Sequence, residues 1–444
     1  MPRFLPEELS RWLSVPWENG TPAGMIAGIS KDTRTLRTGD LYVAVRGDNF
    51  DGHAFLEDAF CKGASGALIC ADAAVTPSGP VLRVPDTIAG LQQMARGYRT
   101  TWSATVIGIT GSVGKTTVKE MCADVLSVIG KTHRTAGNYN NHIGLPLSML
   151  AMPHDAQYGV FEVGMNRPGE IGPLTELLRP DVGILTEIGN AHRGNFSSIE
   201  EIAGEKIRLL AGVSSSGKVI LNRDSRWYPE MLAAVSAGSV TVSLGNDADY
   251  TGYRKGQDVL EVAGADYVMP VPGEHMMCNA LLAVALGLEE GMKPEQVAEG
   301  LRRFMAPPMR WEKSEIKGVH FINDAYNANP LSMRASLKTF SETITEGRKW
   351  AVIGGMRELG DTEKTEHEQL GQFADSLQGL DGVITVGALG KLIQCKKIPC
   401  FIQCDDLQDA TRALKDKLVP GDLVLLKASR SEQLERVLTD FEEI

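Results

Sequence analysis

Residues Thr105–Glu120 read TVIGITGSVGKTTVKE, and no other stretch limits the fold as strongly. An apolar run of strand length enters a glycine-rich turn, and Lys115, Thr116 and Thr117 open the helix that follows. A strand that runs straight into a helix is the start of a parallel α/β sheet. The turn limits the chemistry as well. Glycines let backbone N–H groups close around a phosphate, a lysine reaches the terminal oxygens, and the next hydroxyl can ligand Mg²⁺. The common spacing puts a glycine at position 109, where this chain has Ile109; its glycines stand at Gly108, Gly111 and Gly114. The segment predicts a nucleoside triphosphate site over Thr110, Gly111, Ser112, Val113, Gly114, Lys115, Thr116 and Thr117, irregularly spaced.

Around this turn, apolar runs of strand length alternate with helical patterns from about 101 to 312. TVIGIT, YGVFEVG, VGILTEIG and KVILN are the strands; Lys115–Ile129, the segment after Pro168 and SIEEIAGEKIRLLAG lie between them. The alternation predicts a central parallel-sheet ATPase domain with helices on both faces, its ligand at the carboxyl ends of the strands. Residues 1–100, with LYVAV and GALIC, read as a smaller mixed α/β domain. Residues 313–444, with WAVIGG, GVITVG and DLVLLKAS, read as a second, Rossmann-like α/β domain. The paired prolines of PPMRW (307–311) mark the linker. A chain of 444 residues is long enough for three such bodies.

The formal net charge of −11 disfavours broad nucleic-acid or anionic-membrane binding but leaves room for a local basic pocket. No run approaches the roughly 18 apolar residues of a membrane span, and MPRFLPEELSRWLSVPW lacks a signal-peptide core, so a cytoplasmic protein is expected. Seven scattered cysteines fit reduced thiols. Cys395, Cys400 and Cys404 cluster, but without a CxxC pair or a close histidine they make a weak metal motif.

Several polar groups fall where the nucleotide should sit. Glu162 ends one strand and His192 follows the next, so both lie at carboxyl ends and suit Mg²⁺ and phosphate ordering. GNYNNHIG carries Asn138, Asn140 and Asn141, an amide density that serves a turn or a ligand. DAYNANPLSM places Asp324 to accept from a ribose hydroxyl; Asn327 and Asn329 either bind ligand or cap a helix. In the first region Ser30, Asp32, Thr33, Arg34, Gly47, Asp48, Asp51, Gly52 and His53 gather near apolar strands, and Arg34 suits a diphosphate; a solvated hairpin is the alternative. Lys206, on a predicted helix, reads by itself as a solvated surface lysine.

Taken in order, DTRTLRTGDLYVAVRGDNFDGHAF, GITGSVGKTTVKE, GNYNNHIGLP, FEVGMNRPGEI, IGNAHRGNF, EKIRLL, HMMCNALLA, MRWE, NDAYNANPLSM, GGMRELG and LLKASR resemble the Mur ligase family, over nearly the whole chain from Ser30 to Arg430. DAYNANPLSM and KASR are similar to the branch that adds D-alanyl-D-alanine. The branch that adds the third peptide residue would carry DNPR- and KGHE-type strings.

The resemblance implies three domains, for the UDP part of the substrate, for ATP and for the incoming amino component. It implies that Lys115 meets the terminal phosphates and that Thr116, Glu162, His192 and Lys206 serve the metal, Lys206 through a carbamate. Lys115, His192 and Lys206 are then the catalytic set. Asn279, Arg310 and Asp324 match nucleotide contacts, and the first-region residues, the three asparagines, Tyr326, Asn327 and Asn329 match substrate contacts. Four positions depart from the family pattern: Glu187, Met276, Arg357 and Ala428.

The implied reaction is ATP- and Mg²⁺-dependent amide formation between UDP-N-acetylmuramoyl-tripeptide and D-Ala-D-Ala through an acyl phosphate, the last cytoplasmic step toward the pentapeptide precursor. The small-molecule substrates are the expected partners of a monomer, with no nucleic acid and no membrane insertion. The rivals are another Mur-type amide ligase, such as a folylpolyglutamate synthase-like enzyme, which DGHAF opposes, and an ATP-binding protein that makes no bond.

Overall fold

The computed structural model describes residues 3–47 and 50–443, so Asp48 lies outside the described residues. Three sheets follow one another along the chain. The first has five strands in the order Trp17–Glu18, Val81–Val84, Gly66–Cys70, Leu41–Val43 and Ile29–Ser30, antiparallel only at the Trp17 edge. A short hairpin pairs Arg46–Gly47 with Phe50–Asp51 beside it.

The second sheet has nine strands. Its parallel part runs from Thr132–Arg134 through Tyr158–Glu162, Thr105–Thr110, Val182–Leu185, Lys218–Asn222 and Gly238–Leu244 to Tyr250–Lys255. The glycine-rich turn therefore leaves a strand flanked by those of Glu162 and Leu185, at the switch point where open α/β sheets bind ligands. Two further strands, Val259–Val262 and Ala265–Val268, extend the sheet antiparallel. Their alternating, half-exposed sequence hides them from a search for buried apolar runs.

The third sheet orders Glu312–Ile316, Val319–Asn323, Leu423–Lys427, Lys349–Ile353, Gly382–Val386 and Cys400–Cys404, antiparallel only at its first pair. Val319–Asn323 and Leu423–Lys427 are neighbours although about a hundred residues separate them, and Asn323 lies opposite Leu426. The residues that follow, Asp324 and Lys427, are thus delivered to one place.

Helix packing aims these strand ends. Lys115–Leu126 buries Val118, Met121, Cys122 and Val125 in one cluster with Met277, Ala280, Leu281 and Val284 of the long helix Glu274–Glu289. Each fully buried side chain of this size contributes roughly 1.5–3 kcal/mol. Ile199–Ala211 starts at Ser198, whose Oγ accepts from Glu201 N at 3.2 Å, and carries Glu200 and Glu201 in its positively polarised first turn. Its buried face holds Ile202, Ala203, Lys206, Ile207 and Leu210, the three-and-four spacing of an amphipathic helix with a lysine in the apolar stripe. Among the described residues no helix is long and apolar enough to cross a membrane, and all seven cysteines are free.

Candidate functional site

Gly114 is the N-cap of the helix that Lys115 opens, at φ 86° and ψ −11°. That left-handed geometry favours glycine, and a Cβ there would stand 2.5 Å from Asn279 Oδ1. At Gly111 a Cβ would come within 1.9 Å of Thr186 Oγ1. The neighbouring strand end holds the turn in shape. Ser112 N donates to Glu187 O at 2.6 Å, Ser112 Oγ to Gly189 O at 2.9 Å, and Thr186 Oγ1 to Val113 O at 2.5 Å. The result is a fixed backbone concavity at a helix N-terminus, with the polarity that suits phosphate.

A buried carboxylate faces this cradle. Glu162 is 2% exposed; its Oε2 accepts from Thr116 Oγ1 at 2.9 Å and its Oε1 from Asn140 Nδ2 at 2.7 Å. Arg310 Nη2 donates to the same Thr116 hydroxyl at 3.3 Å while its guanidinium lies over the Tyr326 ring, 4.3 Å from the centroid. Among the described residues no three His, Cys, Asp or Glu side chains converge as a metal cage. Mg²⁺ is held by one or two carboxylates or hydroxyls, waters and substrate phosphates rather than by an all-protein cage, and the Thr116–Glu162 pair beside the phosphate cradle fits that donor set.

Two lysines meet behind the turn. Lys115 Nζ donates to Gly111 O at 2.8 Å, and Lys206 Nζ donates to the same oxygen at 3.0 Å. Lys206 is 1% exposed, which corrects its reading as a surface lysine. Burial, and then the charge of Lys115, push its ammonium well below the usual lysine range; burial also lowers Lys115.

His192 takes a left-handed φ of 58° in the loop after Val182–Leu185, and its Nδ1 pairs with Glu358 of the third sheet's domain. This bond holds the Glu358 carboxyl below its ordinary range. In the same loop Asn190 Nδ2 donates to Glu366 Oε1 at 2.8 Å. The central and C-terminal domains therefore meet across the cleft.

The C-terminal side contributes Asp324, Tyr326, Asn327 and Asn329. Asp324 Oδ2 accepts from Ser336 Oγ at 2.5 Å and from Lys427 Nζ at 2.7 Å. Asn329 Oδ1 caps the helix Pro330–Glu342 through Ser332 N at 2.9 Å, and Asn327 Oδ1 accepts from Ala328 N at 2.8 Å. Asn141 Oδ1 likewise accepts from Gly144 N at 2.8 Å. These three amides shape the walls as well as facing the cleft.

A cleft of about 360 Å³ gathers Ser112–Thr117, Asn138, Asn140, Asn141, Glu162, His192, Asn279, Arg310, Asp324, Tyr326, Asn327 and Asn329. Thr110, Gly111 and Lys206 sit behind its lining. The first-domain set does not line it. There Asp32 holds the exposed Arg34 at 2.6 Å and, through that bond, its own carboxyl is lowered to about 2. Ser30 Oγ donates to Asp32 O at 3.1 Å, Thr33 is buried, and Gly47 lies in the exposed hairpin. The His53 ring is buried: its Nδ1 meets Asp51 Oδ1 at 2.5 Å and its Nε2 accepts from Cys70 N at 2.9 Å. Gly52 is buried too, its missing Cβ 2.8 Å from Val45 N.

His275, Ser336 and Lys427 are polar cleft residues that the sequence reading did not single out. His275 precedes Met276 by one position in the HMMCNALLA string; burial lowers it to about 4. Ser336 lies just under one helical turn beyond the DAYNANPLSM string. Lys427 stood only as part of KASR. The one local signal was Asp324, a carboxylate at the end of a buried strand, which calls for a counter-charge.

The description "Mur ligase middle domain" matches residues 109–287, and "Mur ligase, glutamate ligase domain" matches residues 309–430. A Bacillus subtilis protein named UDP-N-acetylmuramoyl-tripeptide–D-alanyl-D-alanine ligase is 36% identical, over 94% of this chain and 93% of its own. The Escherichia coli protein of the same name is 32% identical, over 94% and 93%. Among solved structures, MurF from Acinetobacter baumannii superposes with a TM-score of 0.91 at 28% identity over 100% of both chains. MurF ligase from Thermotoga maritima, solved in complex with ADP, gives 0.81 at 28% over 94% of this chain and 97% of its own. On its motifs, its sheets and these relatives, the chain belongs to the Mur ligase family.

Proposed function

We propose that this chain joins D-alanyl-D-alanine to UDP-N-acetylmuramoyl-tripeptide with ATP, as its relatives' names state for them. One observation carries the reading. The phosphate cradle with Lys115, Thr116 and Glu162 opens into the same cleft as the strand ends of the C-terminal domain. A nucleotide from one side and an amine from the other can then meet there.

The peptide carboxylate attacks the γ-phosphorus, giving an acyl phosphate and ADP. The neutral dipeptide amine then attacks the acyl carbon, the C–O bond to phosphate breaks, and the nitrogen's surplus proton passes to the departing phosphate or to solvent. The difficulty is the meeting of two anions. Lys115, released from Gly111 O, neutralises the transferring phosphoryl group, and Arg310 adds a second positive charge from the C-terminal edge of the central domain. Thr116 and Glu162 would hold Mg²⁺, whose charge supplies Lewis acidity at the phosphates. His192 stands on the facing loop.

Lys206 acts as a carbamate in this reading. Its depressed basicity keeps a neutral amine available, which adds CO₂ and gives up one proton to solvent. The product turns a cation crowded against Lys115 into an anion beside it, so repulsion becomes attraction. The first domain, residues 1–100, holds the UDP part through Arg34 and the backbone around Gly47 and Gly52. The hinges lie near residues 100 and 312, and the enzyme works as a cytoplasmic monomer.

The test is phosphate release from ATP, Mg²⁺ and UDP-MurNAc-tripeptide with and without D-Ala-D-Ala, with the amide product followed by mass spectrometry. Release that ignores the dipeptide, or that yields no new amide, rejects the reading. Lys115→Ala should abolish turnover in a folded protein.

A further inference from the structure

Lys427 is 3% exposed and belongs to no step above. It ends the strand Leu423–Lys427, next to the end of Val319–Asn323, and so faces Asp324 across the third sheet. Its Nζ lies 2.7 Å from Asp324 Oδ2, 3.2 Å from Asp324 O and 3.2 Å from Asn327 O. An ammonium has three N–H donors, so these acceptors use all of them and leave none for a phosphate or a substrate carboxylate. Ser336 Oγ, on the helix Pro330–Glu342, donates to the same carboxylate oxygen at 2.5 Å. Both side-chain bonds fall on Oδ2, so that oxygen is held from two sides, and Asp324 itself lines the cleft. The backbone bonds to Asp324 and Asn327 hold the turn that carries Tyr326, the ring beneath Arg310.

We propose that Lys427 is a positioning residue. It fixes the rotamer of Asp324 so that Oδ1 accepts from a nucleotide ribose hydroxyl, and it does so without touching the nucleotide. The inference rests on the reading of Asp324 as the ribose acceptor. A nearly buried pair whose ammonium has all three donors engaged holds one geometry, which a solvent-exposed pair does not.

The experiment measures calorimetric affinity for ADP and for 2′,3′-dideoxy-ADP at fixed Mg²⁺ on the full chain. The proteins are wild type, Lys427→Met and Ser336→Ala, the last of which removes one bond to Oδ2 but no charge. Wild type should bind ADP about tenfold more tightly than the dideoxy analogue, the size expected for a hydrogen bond to a charged group. In Lys427→Met that ratio should fall to near one, and Ser336→Ala should lie between. A general packing defect would weaken both ligands alike and keep the ratio. If wild type shows no preference, the ribose reading of Asp324 fails. If wild type discriminates and both variants keep the full ratio, the positioning role alone is overturned. Should Lys427→Met fail to fold, the ratio in Ser336→Ala decides.

Discussion

Lys206→Met should stabilise the nucleotide-free protein while removing its turnover. Lys206 is 1% exposed, shares the Gly111 carbonyl with Lys115, and is pushed well below the usual lysine range by burial and by that neighbouring charge. Burying this lysine therefore costs stability at every pH where the unfolded side chain is protonated. A methionine of similar length fills the same space without charge, and replacing buried charges by apolar groups commonly stabilises by about 1–4 kcal/mol. The sign with pH follows from linkage. A folded-state pKa below the unfolded 10.5 means that the unfolded chain binds more protons, so wild-type stability rises as pH climbs from the folded value toward 10.5. Lys115 is shifted the same way and keeps part of this slope in the variant. The measurement is denaturant unfolding of both proteins at pH 7 and 9.5 in CO₂-depleted buffer. Lys206→Met should be the more stable at pH 7, and the gap should shrink at pH 9.5. A variant less stable than wild type at pH 7, or a gap independent of pH, would refute the account of Lys206 as a strained buried cation.

Gly114→Ala puts a Cβ 2.5 Å from Asn279 Oδ1 at φ 86°, so ADP affinity by calorimetry should drop at least about tenfold, the equivalent of the roughly 1–2 kcal/mol cost of a left-handed L-residue; unchanged affinity would show that the turn relaxes freely. Thr116→Val keeps the shape but strips one hydrogen bond from the buried Glu162, and should raise the Mg²⁺ concentration needed for half-maximal rate several-fold; a fall in kcat at saturating Mg²⁺ with no such shift contradicts a metal role. His133 is lowered to about 4 by burial, against an ordinary 6.5. Its neutral form is the one the fold accepts, so it contributes stability above pH 6.5 that is lost as pH falls toward 4, by up to roughly 3 kcal/mol. His133→Gln should flatten that limb of the unfolding profile, and an unaltered limb assigns it to other groups.

Local patterns announce local structure. The strand–turn–helix at Thr105–Leu126, the apolar runs at 158–162, 218–222 and 382–386, and Ser198 before an amphipathic helix all depend on residues within one or two turns of each other. The three-sheet architecture was legible for that reason, and so was the glycine-rich turn at Gly111–Gly114 between a strand and a helix. The antiparallel strands 259–268 were not, because half-exposed strands lack a continuous apolar run. Lys206 shows the boundary most clearly. Its position three and four residues from Ala203, Ile202 and Leu210 already put it in the apolar stripe, but only the packed helix shows that the stripe ends at Gly111 O.

The sequence by itself determined most of the strands and helices, where the glycine-rich strand–turn–helix lies and which family its motifs belong to. Tertiary structure decided what those motifs face. Parallel pairing set Asp324 beside Lys427, the meeting of two domains set Glu358 against His192, and the folding of the central domain's far end back onto the turn set Arg310 against Thr116. The physical reason is range. Backbone propensity and hydrophobic period act over a few residues, whereas a buried charge finds its partner wherever strand order and domain packing bring one within hydrogen-bonding distance.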